Sequence, residues 1–392
     1  IGSGISGLSA AYYLSDQHEV DVFEKDSRLG GHTHTHALEL EKKVNVDSGF
    51  IVMNDRNYPL LTKLFLDLEV ELYPTSMSFG VETDSIKWCS NDFLKFKFLK
   101  SAKKIRLFFE MLRFNRLASD VTSDSSIEEW LRQNSFSDFF RENYIFPMSA
   151  SIWSSSQESI NKFPMRSLSS FFKNHGLLDL IKRPQWFSVL GGSNTYIDKI
   201  INKSKINNIF LNTQVSVNRN EGKVLVQNKD ITNQYDSIVF ACHANQIGDI
   251  LTDISSREEE TLSMFEYTKN NVLLHDDLTL MPKEKLLWSS WNSFKSPKHD
   301  YVSYWMNNLQ KLDTEKDIFV TLGNCPDIDE ERIFKKIDYE HPLYNENTLT
   351  GQKLIKSMQG ENKTYFVGAH LGYGFHEDGI KSTVDVLKII NE

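Results

Sequence analysis

Cysteine is scarce. Cys89, Cys242 and Cys325 are the only three in 392 residues, and no two of them form a C-x-x-C pair. That excludes a disulfide framework and a cysteine-rich zinc site, and it suits a reducing compartment, so the expected location is the cytoplasm. Long apolar runs are missing as well; none approaches the ~18 residues that a membrane-crossing helix needs. Positive charge is outweighed, with 44 Lys and Arg against 53 Asp and Glu and a net charge of −9, so nucleic acid is not an expected partner. Compositional bias is absent too. Hydrophobic residues make up 40% and charged ones 25%, with 19 Gly and 9 Pro, a balance that rules out disorder and collagen-like repeats. The length suits two to three domains.

What is present begins at once. Gly2-Ser3-Gly4-Ile5-Ser6-Gly7 reads G-x-G-x-x-G, and Leu8 to Leu14 continue as a helix with small residues on one side. Glycine is needed at the tight turn, where backbone approaches a pyrophosphate, and where helix packs on strand. The helix N-terminus supplies free N–H groups and partial positive charge for phosphates. Glu19 to Glu24 reads as a strand ending in an acid seventeen residues after Gly7, placed to accept hydrogen bonds from a ribose hydroxyl. An adenine dinucleotide is therefore expected. The sequence opens on the loop itself, so a few strand residues, and any targeting peptide, are expected upstream of Ile1.

A second glycine pair follows in Arg28-Leu29-Gly30-Gly31-His32. Glu24 followed by Arg28-x-Gly30-Gly31 resembles the flavin-containing amine oxidase superfamily, and the resemblance implies FAD. Further stretches narrow it: Val46 to Asn54, Phe146 to Ser154, Arg183-Pro184-Gln185-Trp186, Tyr304 to Gln310, and above all Gly374-Phe375-His376-Glu377-Asp378-Gly379. Together they resemble the FAD-dependent oxidoreductase subgroup that accompanies cyclopropane-fatty-acyl-phospholipid synthases. The resemblance implies an α/β fold in which a Rossmann-type FAD-binding domain (1–60, 185–248 and 350–392) carries an inserted α+β substrate domain (61–184 and 249–349). It implies cofactor contacts from Gly2, Gly4, Ser6 and Gly7, from Glu24 and Lys25, from Arg28, Gly30, Gly31 and His32, and from Gly368 and Gly379. Val215 would meet adenine through its backbone. Gly49 and Phe50 would lie at the isoalloxazine ring, since glycine in an apolar strand marks a close backbone approach. Two features depart from the superfamily. Ala369-His370 follow Gly368 where many members hold ribitol with an acid, which leaves backbone or the Glu377-Asp378 pair for that contact. The lysine that amine oxidases keep near the flavin has no evident counterpart.

Phe375 and His376 are the catalytic candidates, Phe375 as an apolar wall and His376 as a proton relay or a group that polarises a flavin carbonyl. The other reading of His376 is a cap on a final helix starting near Ile380. His32, His34 and His36 would share one face if extended, but no carboxylate or cysteine sits at a matching spacing, so no metal is expected. Cys242-His243 reads as a packed turn, because neighbours on a strand point to opposite faces.

Between Phe93 and Leu117, eight basic residues face one acid, a local charge of 8 − 1 = +7 that leaves −9 − 7 = −16 for the rest. Phenylalanine and leucine interleave them, which suits a helix lying on an anionic membrane surface or one packing an apolar stripe on the core. The expected activity is FAD-dependent desaturation, oxidation or isomerisation of a fatty acyl chain of a lipid, carried on a phospholipid, or of another apolar substrate, by a protein peripheral to the inner membrane face. A cyclopropane-synthase-like methyltransferase is the implied partner. A non-catalytic flavin-fold protein that binds lipid or supports a methyltransferase partner, and an amine or amino-acid oxidase, remain open as alternatives.

Overall fold

The computed structural model describes residues 1–122, 125–153, 157–179, 183–220 and 222–391; Ser154, which closes one of the quoted stretches, lies outside them. Strand Asp21–Phe23 pairs in parallel with Asn208–Phe210, and Ile238–Phe240 pairs in parallel with Thr364–Phe366. Ile1 and Gly2 lie between the two pairs. The Gly2 amide donates to Phe23 O at 2.8 Å, the Ala241 amide donates to Ile1 O at 2.8 Å, and the Ile1 amino group donates to Val239 O at 2.7 Å. These bonds join one parallel array. In open α/β sheets a ligand settles in the crevice beyond the carboxyl ends of the strands, and the glycine loop sits there.

Helix Ile5–Leu14 is buried along most of its length, and its small residues explain why it can be. Ser6, Ser9 and Ala10 allow helix His376–Ile390 to come close enough for Thr383 Oγ1 to donate to Ser6 O at 2.9 Å. Helices Pro59–Asp67 and Asn194–Lys203 close the same core around Leu61, Leu64, Phe65, Tyr196 and Ile200. An antiparallel sheet of Ser216–Asn220, Lys223–Gln227 and Thr232–Tyr235 flanks the array. Its first two strands alternate, with Val217, Val224 and Val226 buried between exposed or half-buried neighbours.

Arg219 anchors that sheet. Its Nη1 and Nη2 donate to the two Glu258 carboxylate oxygens at 2.5 and 2.8 Å, and its Nε to Asp253 Oδ2 at 2.9 Å. The Arg219 and Glu258 side chains are only 4% and 6% exposed. Removing one partner of such a pair strands a buried charge, so Arg219→Met should lower unfolding stability by about 3–5 kcal/mol. Urea titration of the variant tests this; a loss below about 1 kcal/mol would show that Glu258 finds other partners or water.

A second region is built on a seven-stranded sheet. Its strand order is Ile333–Pro342, Tyr267–His275, Phe319–Asn324, Asp300–Trp305, Trp291–Lys295, Phe79–Thr83 and Lys87–Cys89. All neighbours are antiparallel except Trp291–Lys295 with Phe79–Thr83. Against it packs a helical block, in which Asp138–Phe140 runs through a π-helical turn, Arg141–Ile145, into Phe146–Trp153. Phe114, Phe140, Leu168 and Phe172 form its fully buried centre. Among the described residues no helix is long and apolar enough to cross a membrane.

Two sequence expectations need correction. The final helix begins at His376, not near Ile380: the Asp378 carboxylate accepts the Phe375 amide at 3.0 Å and so closes the helix start from inside. The basic stretch between Phe93 and Leu117 is not one helix but three pieces, Ser90–Leu94, Lys97–Lys100 and Ala102–Ala118. Phe96 breaks it by adopting φ 54°, and Ser101 restarts it by accepting the Lys104 amide on its side chain.

Candidate active site

One continuous cavity of about 1660 Å³ lies between the two regions. At one end it meets the glycine loop, whose three glycines answer to three different constraints. Gly2 has φ +95°, and a Cβ there would press on the Ala241 backbone at 3.0 Å. A Cβ on Gly7 would fall 2.0 Å from Gly2 O. Gly4, in contrast, has φ −67°, and a Cβ on it would meet nothing within 4 Å, because that side is open to the cavity. Helix Ile5–Leu14 has no side-chain cap at its N-terminus, so its first N–H groups are left for a ligand.

Glu24 lines this end, buried, holding the Ser3 amide at 2.9 Å and the Asp26 amide at 3.0 Å. Arg28 folds the second glycine loop: its guanidinium donates to Gly31 O at 2.6 Å and Thr33 O at 3.1 Å. That brings Gly31 against Gly4, where a Cβ would lie 3.1 Å from Gly4 Cα. Ser6, Lys25, Gly30, His32, Gly49, Phe50, Val215 and Gly368 also line the cavity. Gly7 and Gly379 do not; a Cβ on Gly379 would lie 2.7 Å from Ser6 Oγ, so this glycine lets the first and last helices touch. Glu377 and Asp378, considered for a cofactor contact, are turned to the fold instead. Glu377 accepts the Leu60 and Leu61 amides at 2.9 and 3.0 Å, and neither carboxylate lines the cavity.

Three observations fit a bound dinucleotide: the open side of Gly4, the uncapped helix N-terminus, and His32 Nε2. This last atom is buried and has no hydrogen-bond partner among the described residues. The residues present could therefore hold pyrophosphate at the helix start and a ribose at Glu24.

Towards the middle of the cavity, the Phe50 ring stacks on His376 with centroids 3.8 Å apart. His376 Nε2 lies 3.1 Å from both Thr33 Oγ1 and Tyr196 OH, which also bond each other. Burial pushes the His376 imidazole down to about 3, so it stays neutral near pH 7 and does not titrate there as its ordinary value would suggest. A neutral ring pinned by two hydroxyls can orient or polarise a neighbour, and it does not cap the helix. Phe375 stacks on Phe171 at 4.8 Å and continues the wall away from the glycine-loop end.

Beyond Phe375 the cavity becomes an aromatic arm. Phe93, Phe108, Met148, Trp153, Phe171 and Trp186 are among its walls. Of the described residues from 88 to 186 that line it, none is a carboxylate and Arg183 alone is charged at neutral pH, because burial lowers His175 to about 4.

Several groups escaped the sequence reading. Asp47 is fully buried and accepts bonds from Ser193 N, Ser193 Oγ, Thr35 Oγ1 and Gln310 Nε2; burial raises its carboxyl to about 6 despite them. The three histidines of the second loop, His32, His34 and His36, all line the cavity. The His34 and His36 rings lie 3.9 Å apart and tilted to each other, while His32 stacks on Tyr339 at 4.9 Å and lies 5.2 Å from His341. Among the described residues no group of three His, Cys, Asp or Glu is arranged to hold a metal ion. Lys335 and Lys336 reach the cavity from the edge strand of the seven-stranded sheet and Lys269 from the strand beside it, positions that no local spacing reveals. Burial raises the Cys242 thiol to about 11, which disfavours a nucleophilic role.

The sequence profile of the flavin containing amine oxidoreductase family matches residues 5–273. No curated protein sequence matches significantly. Among solved structures, a fatty acid isomerase from P. acnes that produces CLA superimposes with a TM-score of 0.71 at 14% identity, over 99% of this chain and 97% of that one. An engineered putrescine oxidase gives 0.72 at 15% identity, covering 100% and 97%. The cyclohexylamine oxidase of Brevibacterium oxydans gives 0.69 at 13% identity, covering 100% and 98%. At these identities the likeness establishes the fold.

Proposed function

We propose, from the premise that this chain is an FAD-dependent oxidoreductase belonging to the flavin-containing amine oxidoreductase family, that its substrate is an apolar acyl chain. The aromatic arm carries this reading. An alkyl chain gains about 0.8 kcal/mol per buried methylene in such surroundings, whereas an ammonium group would lose its hydration with no carboxylate in the arm to replace it. FAD supplies, when bound, a two-electron acceptor and, for isomerisation, the donor that returns the pair. The chain's own residues place and shield: the arm excludes water, Phe375 and Phe50 form the wall along which the acyl carbons pass, and Thr33 with Tyr196 fix the neutral His376 ring beside it. The structural likeness to a fatty acid isomerase supports the same substrate class.

Anaerobic titration of the holoprotein with saturated and unsaturated fatty acids, followed by product analysis, tests this. Bleaching of the flavin bands, or a moved double bond without net bleaching, is the expected result. Bleaching by amines alone would transfer the protein to amine oxidation, for which the cavity-lining Lys269, Lys335 and Lys336 are the structural argument. No change with either would leave a binding role. In the same assay His376→Asn should keep its FAD and lose roughly tenfold or more in turnover; unchanged turnover would remove His376 from the site.

A further inference from the structure

We propose that the segment between Phe93 and Leu117 docks the protein on an anionic phospholipid surface, with the aromatic arm of the cavity opening towards that surface. Its use as a substrate entry rests on the acyl-chain reading above; the docking itself does not.

The charge of this segment is sorted by position. Lys104 is paired with Asp92 at 2.6 Å, Arg106 with Glu110 at 3.1 Å, Lys103 donates to Ser85 O at 2.8 Å, and Arg113 lies over the Phe136 ring at 4.5 Å. Lys95, Lys97 and Lys100 are exposed and have no carboxylate partner among the described residues. They surround the 3₁₀ turn Lys97–Lys100, which stands between the two helices of the segment.

On the same turn and on the helix beside it, large apolar side chains face solvent: Phe96 is 68% exposed, Leu99 60% and Phe109 63%. They continue inward as one aromatic cluster. The Phe93 ring lies 5.6 Å from Phe98 and 5.7 Å from Phe108, and Phe98 lies 4.5 Å from Phe108. Phe96 holds a left-handed backbone, φ 54°, which a bulky residue adopts only where the surroundings impose it. Phe93, Phe96, Phe108 and Met111 also line the cavity, so the exposed patch and the interior arm form one continuous apolar surface.

Basic side chains at the rim with aromatic and leucine side chains between them match the headgroup and acyl layers of an anionic bilayer. A second copy of this chain is the poorer occupant, since two patches that each present Lys95, Lys97 and Lys100 would meet like charge to like charge.

Co-sedimentation of the holoprotein with phosphatidylglycerol–phosphatidylcholine vesicles, against phosphatidylcholine alone, tests the proposal by a readout that needs no turnover. Preferential capture by the anionic vesicles, weakened by added salt, is expected. The triple substitution Lys95→Gln, Lys97→Gln and Lys100→Gln should weaken capture on the order of a hundredfold while leaving flavin content and turnover on detergent-dispersed fatty acid unchanged. Leu99→Ser with Phe109→Ser should weaken it independently, so a fault in one variant does not decide the matter. Equal capture by both vesicle types, or full capture of the triple variant, would overturn the proposal. So would a concentration-dependent dimer that the same substitutions dissolve.

Discussion

Lowering the pH from about 7 to 5 should unfold this protein or bring it close to unfolding, because its histidines are buried in the neutral form. Burial drives His370 and His376 down to about 3, and His175, His275 and His341 down to about 4. Unfolded histidine titrates near 6.5. As pH falls through that value the unfolded chain takes up protons that the native chain refuses. The stabilisation is therefore complete above about 6.5 and is lost progressively down to about 4. Buried carboxyls oppose it: Asp47 and Asp378, for example, are raised to about 6, so they bind protons in the native state first and favour it in the same window. His32, His34, His36 and His243 are lowered by burial as well, while Asp300 and Glu377 are raised and oppose them, so the histidines outnumber the carboxyls and the net slope is on the order of a few kcal/mol per pH unit. Total stability is usually 5–15 kcal/mol, so that slope decides the outcome. Urea midpoints measured at pH 7, 6 and 5 check it; a midpoint unchanged at pH 5 would mean that these imidazoles reach water more easily than the packing allows.

Replacing Gly4 with valine should yield a folded protein that no longer retains FAD. The Gly4 backbone, φ −67° and ψ −179°, suits any residue, and a Cβ would touch no protein atom within 4 Å. The fold therefore has no reason to object. The added side chain would occupy the space in front of the helix N-terminus, where the N–H groups and the helix dipole are left for a pyrophosphate. Losing two charge-assisted hydrogen bonds at roughly 2 kcal/mol each lowers affinity about a thousandfold. The ratio of flavin to protein absorbance after purification reads occupancy, and circular dichroism separates this loss from misfolding. Normal occupancy with Gly4→Val would mean that the phosphates approach by another route.

The glycine-loop end of the cavity was readable in the chain because its parts are close in sequence. G-x-G-x-x-G, Glu24 and the Arg28-Gly30-Gly31 pair fall within the first thirty-one residues, and each residue type there answers to a local turn, strand end or helix start. Spacing could not say what each glycine does. Gly4 faces the cavity while Gly7 and Gly379 face packed backbone and helix, and only the neighbours brought by the fold distinguish them. The start of the last helix was misplaced because its capping carboxylate, Asp378, lies inside the helix rather than before it. The basic segment read as one helix because periodicity carries no sign of the left-handed turn at Phe96.

By itself, then, the sequence determined the class of fold and the cofactor, since the glycine loop, the strand-end acid and the second glycine pair are short-range backbone features. Tertiary structure decided the rest. His376 meets Thr33 across 343 residues and Tyr196 across 180, and this closure sets the ring's neutral state. The aromatic arm is assembled from the helical block, Trp186 and Phe375, residues with no common period. Their burial and the exclusion of charge from among them are properties of the assembled space, so nothing at one position in the chain could announce them.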